Sequence, residues 1–240
     1  FSETECVSAG TFTQNSVVSP SVTWTKEVLR EKKLRAVVVN SGCANCAVGN
    51  QGYLDAKETA KIASNSLSID LESIAVASTG IIGVELPMAL MRKYIPKIEL
   101  SKNDGPGFAR SILTTDKRTK EIAVSFDHEG SEITVAGVAK GSGMIHPNMA
   151  TMLSFITSDI SIDETTLREV LTLSVNKSFN QISVDGDQST NDTVLAMTNG
   201  EAQNKKITSL EDASVFQEAM DQVCIFLAKE IFESKYNSKY

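Results

Sequence analysis

Strand and helix patterns alternate along this chain of 240 residues, and this alternation restricts the possible fold classes more than any other feature of the sequence. Residues 34–40 (LRAVVVN) have the β-branched composition of a buried strand and run into a polar turn that contains glycine. A helix pattern follows over residues 54–67, with Asp55 and Glu58 expected in its first turn, where negative charge suits the helix dipole. Residues 74–77 form the next strand pattern. This alternation predicts an α/β architecture.

The same alternation continues as far as residue 231. Pro87 is placed to begin a helix that continues toward Tyr94, because proline is favoured in the first helical turn. Two segments of alternating polarity, 121–126 and 132–136, flank the turn-forming run 127–130 and predict a hairpin. The remaining predictions are a helix over 108–113, a strand over 152–156, a helix capped by Asp163 and continuing to Leu173, a strand over 193–197 and an amphipathic helix over 215–231.

Charge and hydropathy argue against two broad classes of function. The net charge is −7 and the isoelectric point is about 5.0, whereas nucleic-acid-binding proteins carry a basic face. No apolar run approaches the roughly 18 residues that a transmembrane helix needs, so no membrane partner is expected. The first residues have no signal-peptide pattern and no initiator Met, which suggests a processed chain or a fragment and leaves a lost targeting segment open.

The four cysteines are too sparse for a disulfide scaffold. Cys43 and Cys46 form one C-x-x-C pair, which suits either a redox dithiol or half of a zinc site. A zinc site needs two more ligands, and His128 and His146 are the only histidines in the sequence. Gly42 and the small alanines around the pair favour tight packing instead, so no metal is expected.

Residues 137–155 (GVAKGSGMIHPNMATMLSF) form the segment with the most chemical information. Gly141 and Gly143 allow a tight loop, and Pro147 fixes its own φ angle while restricting the residue before it. This constrained loop leads into an apolar strand that begins at Thr151. Taken alone, Thr151 reads as a β-branched residue that opens a strand, and composition favours this interpretation.

The second interpretation of Thr151 is an N-terminal nucleophile. A threonine hydroxyl attacks better when a free α-amine on the same residue accepts its proton. The pKa of such an amine lies closer to neutral pH than the pKa of a lysine. Inside a chain this amine forms only when the preceding bond is cut: Thr151 Oγ1 attacks the Ala150 carbonyl, the amide becomes an ester, and water hydrolyses the ester. The predicted cleavage site therefore lies between Ala150 and Thr151.

Four long runs, in order along the chain, support the second interpretation. They are VVVNSGCAN at 37–45, ASTGIIG at 77–83, KGSGMIHPNMATML at 140–153 and SFNQISVDGDQSTNDT at 178–193. Through them the chain closely resembles the ornithine acetyltransferases of arginine biosynthesis, also called glutamate N-acetyltransferases. The resemblance implies one α/β unit with sheets layered between helices, related to the self-cleaving N-terminal-nucleophile aminopeptidases. It also implies that cleavage yields an α chain, 1–150, and the start of a β chain, 151–240.

The resemblance further implies roles for five residues. Thr151 matches the nucleophile that takes an acetyl group from N-acetylornithine and passes it to glutamate in a ping-pong reaction. Thr79 and Gly80 match the pair that stabilises the oxyanion, although the run STG alone would read as an ordinary turn. Lys140 and Thr114 match substrate-binding residues. On their own, a lone lysine reads as a solvated surface residue and Thr114 as the end of a helix.

An acidic and amide-rich stretch precedes the last predicted strand. Asp185, Asp187, Asn191 and Asp192 lie around one glycine, and this pattern alone suggests a calcium-binding loop. The glutamate that closes an EF-hand loop is missing at the required position. We therefore expect a hydrogen-bonded turn near the active site, without a metal.

The sequence departs from the family in length and in one motif. Family members continue beyond a helix like 215–231 with further substrate-binding residues, and the N-terminus is short as well, so the chain is expected to be truncated at both ends, as a fragment or naturally. Lys117 also replaces the last threonine of a TTDT pattern. Two alternatives stay open: an N-terminal-nucleophile aminopeptidase or amidohydrolase, and a truncated binding module without activity.

The resemblance also sets the expected partners. These are the small molecules N-acetylornithine and glutamate, and the α and β fragments of one precursor, assembled into a heterotetramer or a larger oligomer. No cofactor and no nucleic-acid partner are expected, and acetyl-CoA stays open as a second acetyl donor. The expected location is the cytoplasm, or the mitochondrial matrix for a fungal source.

Overall fold

Two β-sheets lie between two groups of helices. The computed structural model describes residues 1–31, 33–142, 152–183 and 188–236. The strands are β1 (Val7–Phe12), β2 (Ala36–Cys43), β3 (Ile74–Ile81), β4 (Lys120–His128), β5 (Ser131–Lys140), β6 (Leu153–Ser158) and β7 (Thr193–Thr198). The α-helices are α1 (Pro20–Glu31), α2 (Gln51–Leu67), α3 (Met88–Tyr94), α4 (Gly105–Ser111), α5 (Glu164–Lys177) and α6 (Ser214–Tyr236). Within these ranges, no helix combines the length and the apolar character needed to cross a bilayer.

The larger sheet has five strands in the order β1-β7-β6-β5-β4. In this sheet β6 and β7 run parallel, and the other neighbouring strands are antiparallel. The predicted hairpin is the β4–β5 pair. The smaller sheet consists of the parallel strands β2 and β3, and α2 lies in the crossover connection that such a pair requires.

The alternating side chains of β6 divide the interior into two hydrophobic cores. Leu153 and Phe155 pack in the core that β6 shares with α1, α2 and the smaller sheet. Ile156 packs on the opposite face, in the core under α5 and α6. The structure therefore confirms the predicted α/β class and the layering of sheets between helices.

Every element predicted from the sequence is present among the described residues, with shifted ends. Two elements, β1 and α1, were not predicted, although Ser19 followed by Pro20 is a recognised start signal for α1. The predicted position of Asp55 and Glu58 is wrong, because α2 begins at Gln51 and both acidic residues lie beyond its first turn. Asp55 is buried there and accepts a hydrogen bond from Gln51 Nε2 at 2.8 Å.

Asp163 caps α5, as the sequence predicts. Its side chain accepts hydrogen bonds from the N–H groups of Thr165 (2.9 Å) and Thr166 (3.2 Å). We expect Asp163→Ala to lower the free energy of unfolding by about 1 kcal/mol, because two N–H groups of the first turn lose their acceptor. Asp163→Asn should keep most of this stability, since its amide oxygen still accepts. Urea denaturation measures the difference, and equal losses in the two variants would contradict the capping role.

Candidate active site

Thr79 and Gly80 lie near the end of β3, where it runs beside β2. Thr79 is buried and Gly80 is exposed, so the strand reaches the surface between these two residues. Gly80 has a φ angle of +134°, and a Cβ atom there would lie 2.2 Å from the carbonyl carbon of Gly42 and 2.5 Å from the nitrogen of Cys43. Only glycine fits this close approach of two backbones. The run STG continues β3 and is not the ordinary turn of the alternative interpretation.

The C-x-x-C pair lies beside this strand end. Cys43 and Cys46 are both buried, and neither forms a disulfide. Cys43 Sγ lies 3.1 Å from the carbonyl oxygen of Val84, in the segment that follows β3. This burial agrees with the packing interpretation of the pair. In the part of the chain that the structure describes, no three His, Cys, Asp or Glu side chains converge as a metal site would require.

Lys140 ends β5 and is buried, with 3% of its surface exposed. Its Nζ lies 3.5 Å from Oγ1 of Thr114, and no carboxylate of the described residues lies within 4.0 Å of it. Burial lowers the pKa of Lys140, and the charges of Asp116 and Asp192 oppose this shift. The surface-lysine interpretation is therefore wrong, because β5 pairs with β6 as far as Lys140 and carries it inside. Thr114 lies just beyond the C-terminal end of α4, so the alternative interpretation of Thr114 as the end of a helix is wrong.

A second buried lysine, Lys120, differs from Lys140 in having an ion-pair partner among the described residues. Lys120 Nζ lies 2.5 Å from Oδ1 of Asp116, and the N–H of Gly141 donates to the same oxygen at 2.7 Å. Burial alone would raise the pKa of Asp116, but the bonds from Lys120 and Gly141 and the charge of Lys140 hold it below its usual range. This pair was not predicted from the sequence, where its only signal is a four-residue spacing. Asp116 thus pairs directly with Lys120 and acts on Lys140 only from a longer distance.

The stretch before β7 supplies two further buried polar residues. Asn191 Nδ2 donates to the carbonyl oxygens of Ser78 (2.7 Å) and Ala44 (2.6 Å). Oδ1 of Asp192 accepts the N–H of Met152 at 2.9 Å. Burial raises the pKa of Asp192 well above its usual range, despite this hydrogen bond. Both residues are thus hydrogen-bonded next to predicted site residues, whereas the turn expected over this stretch stays a prediction because residues 184–187 lie outside the described residues.

The predicted loop residues Gly143, His146 and Pro147 lie outside the described residues, and so do four candidate site residues. These four are Ala150 and Thr151 of the cleavage site, and Asp185 and Asp187 of the acidic stretch. The structure brings Lys140 and Thr114 together, and it connects the strand end at Thr79 to Asn191 through Ser78. The roles of these residues in catalysis and substrate binding stay predictions.

The layered arrangement of sheets and helices defines the fold class of this protein. The structural match to a β-aminopeptidase of Burkholderia sp. covers 95% of this chain and 74% of the aminopeptidase, with a TM-score of 0.51 and 10% identity. At this identity the likeness shows the fold alone, so the chain is an α/β protein with the fold of the β-aminopeptidases. Within that class it belongs to the ArgJ family, whose model matches residues 1–234.

The relatives and solved structures agree with this membership. The arginine biosynthesis bifunctional proteins ArgJ of Thermotoga neapolitana and Dehalococcoides mccartyi are 46% and 45% identical, over 97% and 96% of this chain. The chain spans only 60% and 57% of these relatives. A crystal structure of the Bacillus halodurans protein of that name gives a TM-score of 0.56 at 39% identity, over 59% of this chain and 75% of that one. An ornithine acetyltransferase of Mycobacterium tuberculosis, complexed with ornithine, gives 0.55 at 34% identity, over 60% and 78%.

Proposed function

We propose that this chain is part of an acetyltransferase that moves an acetyl group from N-acetylornithine to glutamate, in arginine biosynthesis. Relatives that carry the name arginine biosynthesis bifunctional protein support the pathway. A structural neighbour that is an ornithine acetyltransferase in complex with ornithine supports the substrate. In this proposal, cleavage between Ala150 and Thr151 creates the nucleophile and separates an α chain, 1–150, from the start of a β chain, 151–240.

The observation that carries the proposal is the buried ammonium group of Lys140. Burying a charge costs free energy unless an anion pairs with it. Among the described residues, the Thr114 hydroxyl is the hydrogen-bond partner of Lys140 Nζ, and it carries no charge. N-acetylornithine and glutamate both have a carboxylate on the carbon next to the reacting nitrogen. A bound carboxylate supplies the missing anion, so the pair formed by Lys140 and Thr114 suits α-amino acids.

The proposed reaction has two balanced steps. The Thr151 hydroxyl attacks the acetyl carbonyl of N-acetylornithine while the α-amine of Thr151 takes its proton. The tetrahedral oxyanion collapses, the leaving nitrogen of ornithine takes that proton, and acetyl-Thr151 remains. The neutral amine of glutamate then attacks this ester, loses a proton and restores the free hydroxyl. Thr79 and Gly80 are the proposed oxyanion donors, and one such donor is worth about 3 kcal/mol.

A ligand without a carboxylate tests the role of Lys140. N-acetylputrescine is N-acetylornithine lacking only that group. We expect titration calorimetry to show N-acetylornithine binding roughly 10- to 100-fold more tightly, since a hydrogen bond to a charged group contributes about 1.5–3 kcal/mol. In Lys140→Met the two ligands should bind with equal, weaker affinity. An unchanged preference for N-acetylornithine in Lys140→Met would contradict the proposal.

Replacing each of the two buried lysines by methionine should change the free energy of unfolding of the protein by different amounts. Lys140→Met removes a buried charge that has no ion-pair partner among the described residues, so the free energy of unfolding should stay unchanged or rise. Lys120→Met leaves the Asp116 carboxylate buried without its cation and should cost about 3–5 kcal/mol. Urea denaturation measures both variants. A large loss in Lys140→Met would show that its ammonium group already has a structural partner.

The hydrolase alternative differs in what accepts the acetyl group. Mass spectrometry follows the acetyl adduct on Thr151 after exposure to N-acetylornithine. An adduct that persists until glutamate is added supports transfer, and rapid loss to water supports an aminopeptidase or amidohydrolase. Acetyl-CoA as a second donor, the absence of a cofactor, the oligomer of α and β chains and the cytoplasmic location are further parts of the proposal.

A further inference from the structure

Two neighbouring residues join the two sheets at the proposed site. Asn191 reaches the end of β3 through its hydrogen bond to the Ser78 carbonyl. Asp192 reaches the start of β6 through the N–H of Met152. The two side chains are 5% and 0% exposed, so water does not compete for these bonds. One dipeptide thus contacts both halves of the site.

The contacts fall on the peptide bonds that matter for the proposed reaction. The carbonyl of Ser78 and the N–H of Thr79 belong to one planar peptide unit, so fixing the carbonyl also fixes the backbone that enters Thr79. The N–H of Met152 belongs to the peptide unit that follows residue 151 in the sequence. Asn191 and Asp192 therefore set the separation between the proposed oxyanion donors and the strand that follows the proposed nucleophile.

The backbone around the dipeptide leaves it little freedom. The N–H of Thr193 donates to the Met152 carbonyl at 3.2 Å, and the N–H of Thr13 donates to the Asp192 carbonyl at 3.0 Å. The parallel pairing of β6 with β7 then begins at Leu153. The Asp192 side chain extends this ladder by one bond, so its position is tied to both strands.

The chemistry of both side chains fits this task better than simple packing. Asn191 uses its two amide hydrogens on two carbonyls, and its Oδ1 accepts from the Thr190 hydroxyl at 2.6 Å. Asp192 Oδ2 is buried and makes no hydrogen bond within 3.5 Å among the described residues, and the nearby Ser189 hydroxyl and the charge of Lys140 only partly oppose the rise in the Asp192 pKa that burial causes. A buried carboxylate with an unsatisfied oxygen costs stability, which an apolar residue of similar volume would avoid.

We propose that Asn191 and Asp192 are positioning residues that hold the end of β3 and the start of β6 at the separation acyl transfer requires. This inference rests on the proposed function. It assigns the dipeptide no contact with substrate. Substituting Asn191 or Asp192 should therefore change the rate of the reaction rather than the affinity for N-acetylornithine, which in the proposed function depends on Lys140 and Thr114.

A second buried asparagine provides the control. Asn204 is 7% exposed, donates from Nδ2 to the carbonyls of Ser161 (3.1 Å) and Lys205 (2.7 Å), and accepts the N–H of Ser161 at 2.8 Å. It makes the same number of bonds as Asn191, on the loops after β6 and β7. Asn191→Leu and Asn204→Leu should therefore lower the unfolding midpoint by similar amounts.

The rate of cleavage after Ala150, followed by intact mass, separates positioning from stability. Asn191→Leu should slow it about 100-fold, the size of effect expected from a misplacement of about 1 Å, while Asn204→Leu keeps the wild-type rate. Asp192→Leu should be slow as well. Asp192→Asn should recover most of the rate, since its amide oxygen still accepts the N–H of Met152. Equal slowing in Asn191→Leu and Asn204→Leu, or a wild-type rate in Asn191→Leu, would overturn the inference.

Hydrogen exchange keeps the inference testable if the wild-type chain is not cleaved, which would count against the proposed function alone. Asn191→Leu should speed amide exchange in peptides covering 76–81, where Asn191 holds the Ser78 carbonyl, and Asp192→Leu should speed exchange in peptides covering 152–158, where Asp192 holds the N–H of Met152. Asn204→Leu should change neither peptide. A wild-type exchange rate in 76–81 for Asn191→Leu, or in 152–158 for Asp192→Leu, would overturn the positioning role.

Discussion

Thr151→Ala should leave a single chain of about 25.9 kDa under denaturing conditions, whereas the wild-type protein should give a fragment that begins Thr-Met-Leu-Ser. The substitution removes the hydroxyl that attacks the Ala150 carbonyl, so no ester forms and the bond stays intact. Cleavage should fall below detection. Thr151→Ser should retain slower cleavage, because it keeps a hydroxyl on the same carbon. Intact mass spectrometry with N-terminal sequencing reads all three proteins.

Two results would decide against this mechanism. If Thr151→Ala is still cut after Ala150, an outside protease makes the cut. If correctly folded wild-type protein stays whole after long incubation, the N-terminal nucleophile does not form. Thr157→Ala is the matched control, since it removes an exposed threonine hydroxyl from β6 and should leave cleavage unchanged.

Gly80→Ala should cause the largest loss of stability among substitutions of the glycines that the structure describes, more than about 3 kcal/mol. The added methyl group would lie 2.2 Å from backbone of Gly42, which cannot swing away as a side chain can. The φ angle of +134° adds strain, because L-residues with a Cβ atom rarely adopt it. If the variant folds, it should also lose acyl transfer, since relieving the clash moves the proposed oxyanion donor.

Two other glycines separate the clash from the backbone strain. Gly83 has a φ angle of +76° with open space around its Cβ position, so Gly83→Ala should cost only about 1–2 kcal/mol. Gly105 has open space as well and begins α4, so Gly105→Ala should change stability by less than about 1 kcal/mol. Urea denaturation ranks the three variants. Similar costs for Gly80→Ala and Gly83→Ala would show that β2 and β3 can separate.

Local sequence patterns determined most of the secondary structure. Three features were predictable because each depends on residues close together in the chain. They are the β-branched runs, the hairpin turn and the Asp163 cap. The alternation of these elements was enough for the α/β class. The start of α2 was misplaced because Asp55 has a buried role inside the helix, and residue type alone does not reveal burial. The motifs also gave the family, since four long runs in order are specific.

Only the tertiary structure decided which polar residues are buried together. From the sequence alone, Lys140 is interpreted as a surface residue, and only the pairing of β5 with β6 shows that it is buried. Its hydroxyl partner, Thr114, lies 26 positions away in the chain. Asn191 joins carbonyls that lie 113 and 147 positions from it. Such contacts arise when sheets and helices stack. Their energy comes from the exclusion of water by distant segments, which no local pattern of residues encodes.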